Sequence, residues 1–367
     1  MRGRSFLAAG LVAGVLALTG CAPRTVPPGP LADAPQSPAL AQETFRTADG
    51  YALPVRSWLP EAGAPEAVVL AVHGFNDYSH GFDLPGRALA EAGVAVWSFD
   101  QRGFGRAPHF GLWSGEEAMI GDISGMARAL KARYPDTPLY LLGVSMGGAA
   151  VIATATSDDP PPHDGVILSA PAVWARDTMP FYQRAGLFIA SHTVPWLKLS
   201  GEGLGYQASD NLEILRAAGR DPLFIKETRI DSTKGLVDLM DRAMETVDDV
   251  PGPVLYLYGE KDEIVPPHAT DRALATLPDR GGRVRVVLYD DGWHMLLRDL
   301  QRETVYADIL AWIEDRQGPL PSGEEVGPEV TVAQEIADNG DGAEGGAADR
   351  PGTVRAAGPS DASEPSE

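Results

Sequence analysis

The chain has 367 residues, with 30 Lys+Arg against 51 Asp+Glu, a formal net charge of −21, 44% hydrophobic residues and one Cys. That apolar fraction supports a sizeable core and excludes a wholly disordered chain. A single Cys excludes an intramolecular disulfide and a Cys-rich zinc site, and the acidic balance argues against binding nucleic acid through its phosphates.

Residues 1–20 carry Arg2 and Arg4 and no acid, and an apolar run extends from Phe6 to Leu18. A basic start, a short apolar stretch and a small-residue exit read as a secretory signal peptide. Leu18-Thr19-Gly20-Cys21 resembles the bacterial lipobox, in which the Cys becomes the lipidated first residue of the mature protein. Lipidation at Cys21 would place the protein in the cell envelope, attached to a membrane. Ala22 after the Cys leans toward the periplasmic face of the outer membrane if the source is Gram-negative. Residues 22–41 hold six prolines and no aromatic residue, which predicts a semi-extended tether.

Residues 42–316 alternate between strand and helix signals. Glu43–Ala48 and Tyr51–Leu59 flank Asp49-Gly50, a hairpin signature. Short apolar runs follow at Ala67–Val72, Val94–Phe99, Leu139–Leu142, Val166–Ser169, Val254–Tyr258 and Val284–Tyr289. Runs of this kind suit strands buried on both faces of a mostly parallel sheet. Between Glu116 and Tyr134, Ile120, Ile123, Ala127 and Leu130 recur near the helical period, and a last helix is expected from about Asp299 to Ile313. The pattern predicts an α/β domain with helices on both sheet faces. From Val173 to Val250 no parallel-strand signal appears, and large apolar residues abound. This interval reads as an inserted helical cap of about 173–250. Residues 317–367 carry eleven acids against two arginines and no aromatic residue, which predicts an acidic disordered tail. Asp338–Gly342 lacks the spacing of a calcium loop.

Gly143-Val144-Ser145-Met146-Gly147 follows a strand signal and precedes a small-residue helical run. This is the context of a nucleophile elbow, whose sharp turn projects the Ser hydroxyl above the sheet. Of seven His, His294 follows the last strand signal and comes last in the order Ser, acid, His. Asp262 lies just past the run Val254–Tyr258 and is the expected partner of His294, with Glu260 and Glu263 as rivals. The backbone N–H groups of Phe75 and Met146 are candidates for an oxyanion hole. His73 reads as structural, and Asp100 and Arg102 as loop-bracing charges. No cofactor or metal is implied, since no His/Asp/Glu cluster has ligand spacing.

Five motifs together carry a family resemblance: His73-Gly74-Phe75, Asp100-Gln101-Arg102-Gly103, Gly143–Gly147, Gly259-Glu260-Lys261-Asp262 and Asp291-Gly292-Trp293-His294. The chain resembles the monoacylglycerol lipase and lysophospholipase branch of the α/β-hydrolases, sometimes described as serine aminopeptidase-like. The resemblance covers about 275 residues and omits both ends. It implies hydrolysis of a monoacyl lipid ester through an acyl-enzyme. A proline-type aminopeptidase, a short-chain esterase and a non-catalytic envelope binding protein are the competing expectations.

Overall fold

The computed structural model describes residues 23–201, 203, 205–277, 282–327 and 331–332. The expected signal peptide, Cys21 and most of the expected acidic tail lie outside the described residues. A short strand β1 (Ala39–Leu40) leads into the predicted hairpin, β2 (Thr44–Arg46) and β3 (Ala52–Trp58). Gly50 supplies the positive φ that its turn requires, at 93°. The chain continues through β4 (Ala67–Val72), α1 (Asp83–Glu91), β5 (Val94–Phe99), α2 (Glu116–Arg133), β6 (Leu139–Val144), α3 (Met146–Ala155) and β7 (Gly165–Ser169). An insertion follows: α4 (Phe181–Thr193), β8 (Lys198–Ser200), α5 (Leu212–Arg220) and β9 (Glu227–Arg229). Then come α6 (Ile230–Thr246), β10 (Val254–Gly259), α7 (Pro267–Thr276), β11 (Val284–Tyr289), α8 (Arg302–Glu314) and β12 (Glu325–Val326).

Among the described residues, the main sheet runs in the order β1-β2-β3-β5-β4-β6-β7-β10-β11-β12. Pairing is parallel from β5 through β11 and antiparallel at both margins. Alternate side chains of each central strand enter two cores. Val68, Leu70 and Val72 of β4 join Ile123 and Leu130 of α2 and Leu239 of α6. Val69 and Ala71 join Leu89 of α1 and Ile309 and Trp312 of α8 on the other face. Each large aliphatic side chain so buried contributes about 1.5–3 kcal/mol. This arrangement is the expected α/β-hydrolase fold.

Three boundaries differ from the sequence reading. The cap of about 173–250 is narrower, because α6 is a core helix. Val237, Leu239, Met240 and Ala243 are buried, and α6 packs on α3. Every residue of α3 is buried, and its Gly and Ala content lets α2 and α6 approach on either side. The remaining cap is also not purely helical, since β8 and β9 pair antiparallel. The second difference is in residues 22–41, which are no free tether from 23 onward. Val26 N–H donates to Trp113 O, Leu31 N–H to Asp49 O, and β1 pairs with β2. Proline content suggests a semi-extended spacer, but the segment turns at 30–34, where Ala32 N–H donates to Gly29 O and Ala34 N–H to Leu31 O, and its polar backbone groups find partners on the domain surface. Third, the domain continues past 316. Leu320 and Val332 are buried, and β12 pairs with β11.

Arg102 braces the front of this assembly, as expected of a loop-bracing charge. Its guanidinium forms two bonds to Asp122 and two to Asp49, with heavy-atom distances of 2.6–2.8 Å. It also lies over the Tyr51 ring, 4.7 Å from the centroid. Burial raises the Asp49 carboxyl, but bonds from Arg102 and Thr47 outweigh it and bring the pKa to about 2. Replacing Arg102 with Met should leave buried Asp122 unpaired and cost about 3–5 kcal/mol, read from the denaturant midpoint. Asp122→Asn in the Arg102→Met background should recover part of that loss.

Candidate active site

The turn from β6 to α3 holds Ser145 at φ 53° and ψ −118°, a strained conformation for a residue with a side chain. Its surroundings leave it no alternative. Ser145 N–H donates to Ser169 O at 3.0 Å, and Ser145 O accepts from Ala172 N and Gly148 N at 2.9 and 2.8 Å. The flanking glycines are required by contact. A Cβ on Gly147 would stand 2.0 Å from Val72 O, and one on Gly143 would stand 2.4 Å from Gly147 O. Close approach of backbone to backbone, rather than turn propensity alone, fixes glycine at both positions.

His294 and Asp262 meet at the ends of β11 and β10. His294 Nδ1 lies 2.8 Å from Asp262 Oδ2. The other carboxylate oxygen accepts from the N–H groups of Ile264 and Val265, at 2.7 and 3.0 Å. The Asp262 side chain is 0% exposed and that of His294 10%. With its acceptors filled, Asp262 fixes the imidazole orientation and places the proton on Nδ1, leaving Nε2 as the basic nitrogen. The rival Glu263 accepts from Gln207 N–H instead, at 2.6 Å.

The loop after β4 lies directly against the elbow. A Cβ on Gly74 would sit 3.3 Å from Ser145 Cβ and 4.0 Å from its Oγ. Among the described residues, neither Phe75 N–H nor Met146 N–H donates to a protein acceptor. His73 sets this loop. Its Nε2 accepts from Gln101 N–H and its Nδ1 faces Gly74 O, at 3.0 and 2.9 Å, while Gln101 Nε2 returns a bond to His73 O. Burial pushes the His73 pKa down, so it sits neutral between these partners. Asp100 is spent on Ser79 and the Arg106 N–H.

Two groups beside the His were not singled out from sequence. The helical period places Asp299 at the start of the last helix, but it precedes that helix and turns inward. It accepts from Trp293 N–H at 2.9 Å and from the hydroxyl of Ser209 at 2.5 Å, so it bolts the end of the cap to the His294 loop. Met295 N–H to Ala208 O adds a second bolt. Arg298 pairs with Asp77, tying the same loop to the one after β4. An acid five residues past a candidate His is the signal that was available in the sequence. Among the described residues, no cluster of side chains could hold a metal ion.

Burial raises the Asp299 pKa from its ordinary 3.8 to about 6, against the lowering bonds from Ser209 and Trp293. A carboxyl raised in the folded state stabilises fully below about pH 4, and that contribution is lost as pH rises through about 6. Asp299→Asn should therefore remove a pH-dependent share on the order of 2–3 kcal/mol from the slope between those limits. Melting curves of both proteins across pH 4–8 test this. The difference isolates Asp299 from Glu324, which burial raises to about 7 in both.

The sequence model of the family described as serine aminopeptidase, S33, matches residues 63–301. Human monoglyceride lipase is 24% identical over 280 residues, 73% of this chain and 89% of that protein. Phospholipase YtpA of Bacillus subtilis is 25% identical over 215 residues, 57% of this chain and 80% of that one. Among solved structures, a soluble variant of Saccharomyces cerevisiae monoglyceride lipase superposes with a TM-score of 0.63 at 21% identity. It covers 80% of this chain and 100% of its own. The strained Ser elbow, the paired Asp and His and the parallel strands β4–β7, β10 and β11 all fall inside the matched region, and the chain belongs to the serine aminopeptidase S33 family of serine hydrolases, with the α/β-hydrolase fold.

Proposed function

We propose that the protein hydrolyses carboxylic esters of monoacyl lipids, with Ser145 as nucleophile, His294 as base and Asp262 as its orienting acid. The observation that carries this reading is the 2.8 Å Asp262–His294 pair, at the same sheet edge as a Ser forced above its turn. His294 Nε2 takes the Ser145 proton as Oγ attacks the acyl carbonyl. The amides of Phe75 and Met146 receive the oxyanion of the tetrahedral intermediate. His294 then protonates the leaving alcohol, and water activated by the same nitrogen releases the fatty acid. Attack requires Ser145 Oγ and His294 Nε2 to come into line as substrate binds.

The substrate class rests on two supports. Relatives named as monoglyceride lipases cover most of their length with this chain. The cap also exposes large apolar side chains, among them Phe181 (80%), Tyr182, Phe188 (65%), Ile189, Trp196 and Leu199. A surface of this kind suits contact with lipid. Among the described residues no helix is long and apolar enough to cross a membrane. The family description favours an aminopeptidase as second reading. That activity needs a carboxylate open to the substrate amine. The acids beside the site are engaged: Glu263 with Gln207, Asp299 with Ser209 and Asp77 with Arg298. We further propose that Cys21 is lipidated and holds the enzyme on an envelope membrane, on the strength of the sequence signal around it.

A fluorophosphonate probe should label the wild-type protein and not Ser145→Ala. Monoacylglycerol and p-nitrophenyl decanoate should be turned over, and Ser145→Ala or His294→Ala should lower kcat by about 10⁴-fold or more. Turnover of aminoacyl-naphthylamides with none of p-nitrophenyl decanoate would overturn the ester reading.

A further inference from the structure

The N-terminal segment is fastened along its described length, and where it is fastened matters. Arg24 N–H donates to Asp231 Oδ2 at 3.0 Å. Thr25 bridges to Trp113, and Val26 N–H donates to Trp113 O, with the Val26 side chain buried. Tyr51 OH donates to Pro27 O, and Gly29 N–H donates to the Asp49 carboxylate that Arg102 holds. These contacts are spaced along the strap rather than gathered at one point.

Asp231 opens α6 at the root of the cap. Its carboxylate is gripped by Arg229, through Nε at 2.9 Å and Nη2 at 2.5 Å. Its backbone N–H donates to Pro195 O, and the N–H of Ile230 donates to Leu197 O, both at 3.0 Å. Trp196 and Leu197, between and at these acceptors, are exposed, and Leu199 continues the apolar surface along β8. The strap therefore ends on the backbone that carries the apolar cap face.

Only three residue steps separate Cys21 from Arg24, and an extended chain spans at most about 10–11 Å in that length. A free tether of some twenty residues would instead wander over an r.m.s. distance of about 25 Å and set no orientation. We infer that the docked strap fixes the lipid anchor beside the apolar face of the cap, so that anchor and cap enter the same bilayer and the domain holds one orientation on it. This rests on the lipid-anchored reading of Cys21. The partner is the lipid bilayer itself, and the strap raises the effective concentration of the cap face at its surface.

The test uses mature protein carrying Gln183→Cys, reconstituted in phosphatidylcholine–phosphatidylglycerol vesicles. Gln183 is exposed beside Phe181 and Tyr182 and contributes no apolar surface. Lipidation consumes the native thiol, so an environment-sensitive fluorophore reacts at position 183 alone. Nitroxide-labelled phospholipid should quench it strongly. Inserting about fifteen Gly/Ser residues between Ala22 and Pro23, or undocking the strap with Val26→Asp, should weaken the quenching at least about twofold. Turnover of a soluble short-chain ester should stay within about twofold in every variant, which shows that the domain remains folded. Quenching unchanged by both alterations would overturn the inference, as would absence of quenching in the acylated parent. A purified mature protein whose intact mass shows an unmodified Cys21 would overturn the lipoprotein reading and the inference with it, while leaving the ester-hydrolase reading intact.

Discussion

The site depends on how closely the turn after β6 approaches the end of β4. Gly147 lies so near Val72 O that no side chain fits, and that contact presses the start of α3 against the loop bearing Gly74 and Phe75. Because the two segments touch, the Met146 and Phe75 amides share one small region with the Ser145 hydroxyl. The strain at Ser145 follows from the same contact. Its backbone is bonded on both sides, to Ser169 O and from Ala172 N–H, so the turn cannot relax without breaking the edge of the sheet. Burial of α3 along its whole length supplies the packing that holds the strained turn in place.

The cap is fastened on both flanks of that region. On one side, Asn76 bonds Thr228 and Tyr78 bonds Asp221, joining the loop after β4 to the insertion. On the other, Ala208 and Ser209 bond the His294 loop through Met295 N–H and Asp299. Arg298 closes the ring by pairing with Asp77. The cap, the loop after β4 and the His294 loop are therefore mechanically joined by buried or half-buried polar contacts, which are directional and costly to leave unmade. In contrast, the outward surface of α4 and β8 makes few contacts with the rest of the domain, and its large side chains face solvent.

Much of this was legible in the sequence because it follows from local rules. The bounds of β4, β5 and β11 were visible as apolar runs closed by Gly or polar residues, and the hairpin at Asp49-Gly50 as turn chemistry. The elbow, Asp262 and His294 were legible because motif and chain order place them at one sheet edge. What escaped was set by tertiary contact. The period of α6 looks like that of any amphipathic helix, and only its packing on α3 makes it core rather than cap. Asp299 looks like a helix-opening acid until the fold turns it toward Trp293 and Ser209. The six prolines near the N-terminus suggest a spacer, but no local signal says that the chain will turn at 30–34 or that Thr25 and Val26 will find Trp113.

The bond between Arg24 and Asp231 spans 207 positions of sequence, and this has a bearing on the order of assembly. A contact so distant closes late, since the intervening sheet and α6 must exist before the acceptor is in place. The hairpin and β1 can form early from neighbours, but the last turn of the strap cannot. A chain that has folded its first strands and not yet α6 therefore leaves Arg24 without this partner, and only a finished domain supplies it. Seating of the strap is in this sense a structural record of completion, written at the end of the chain that was made first.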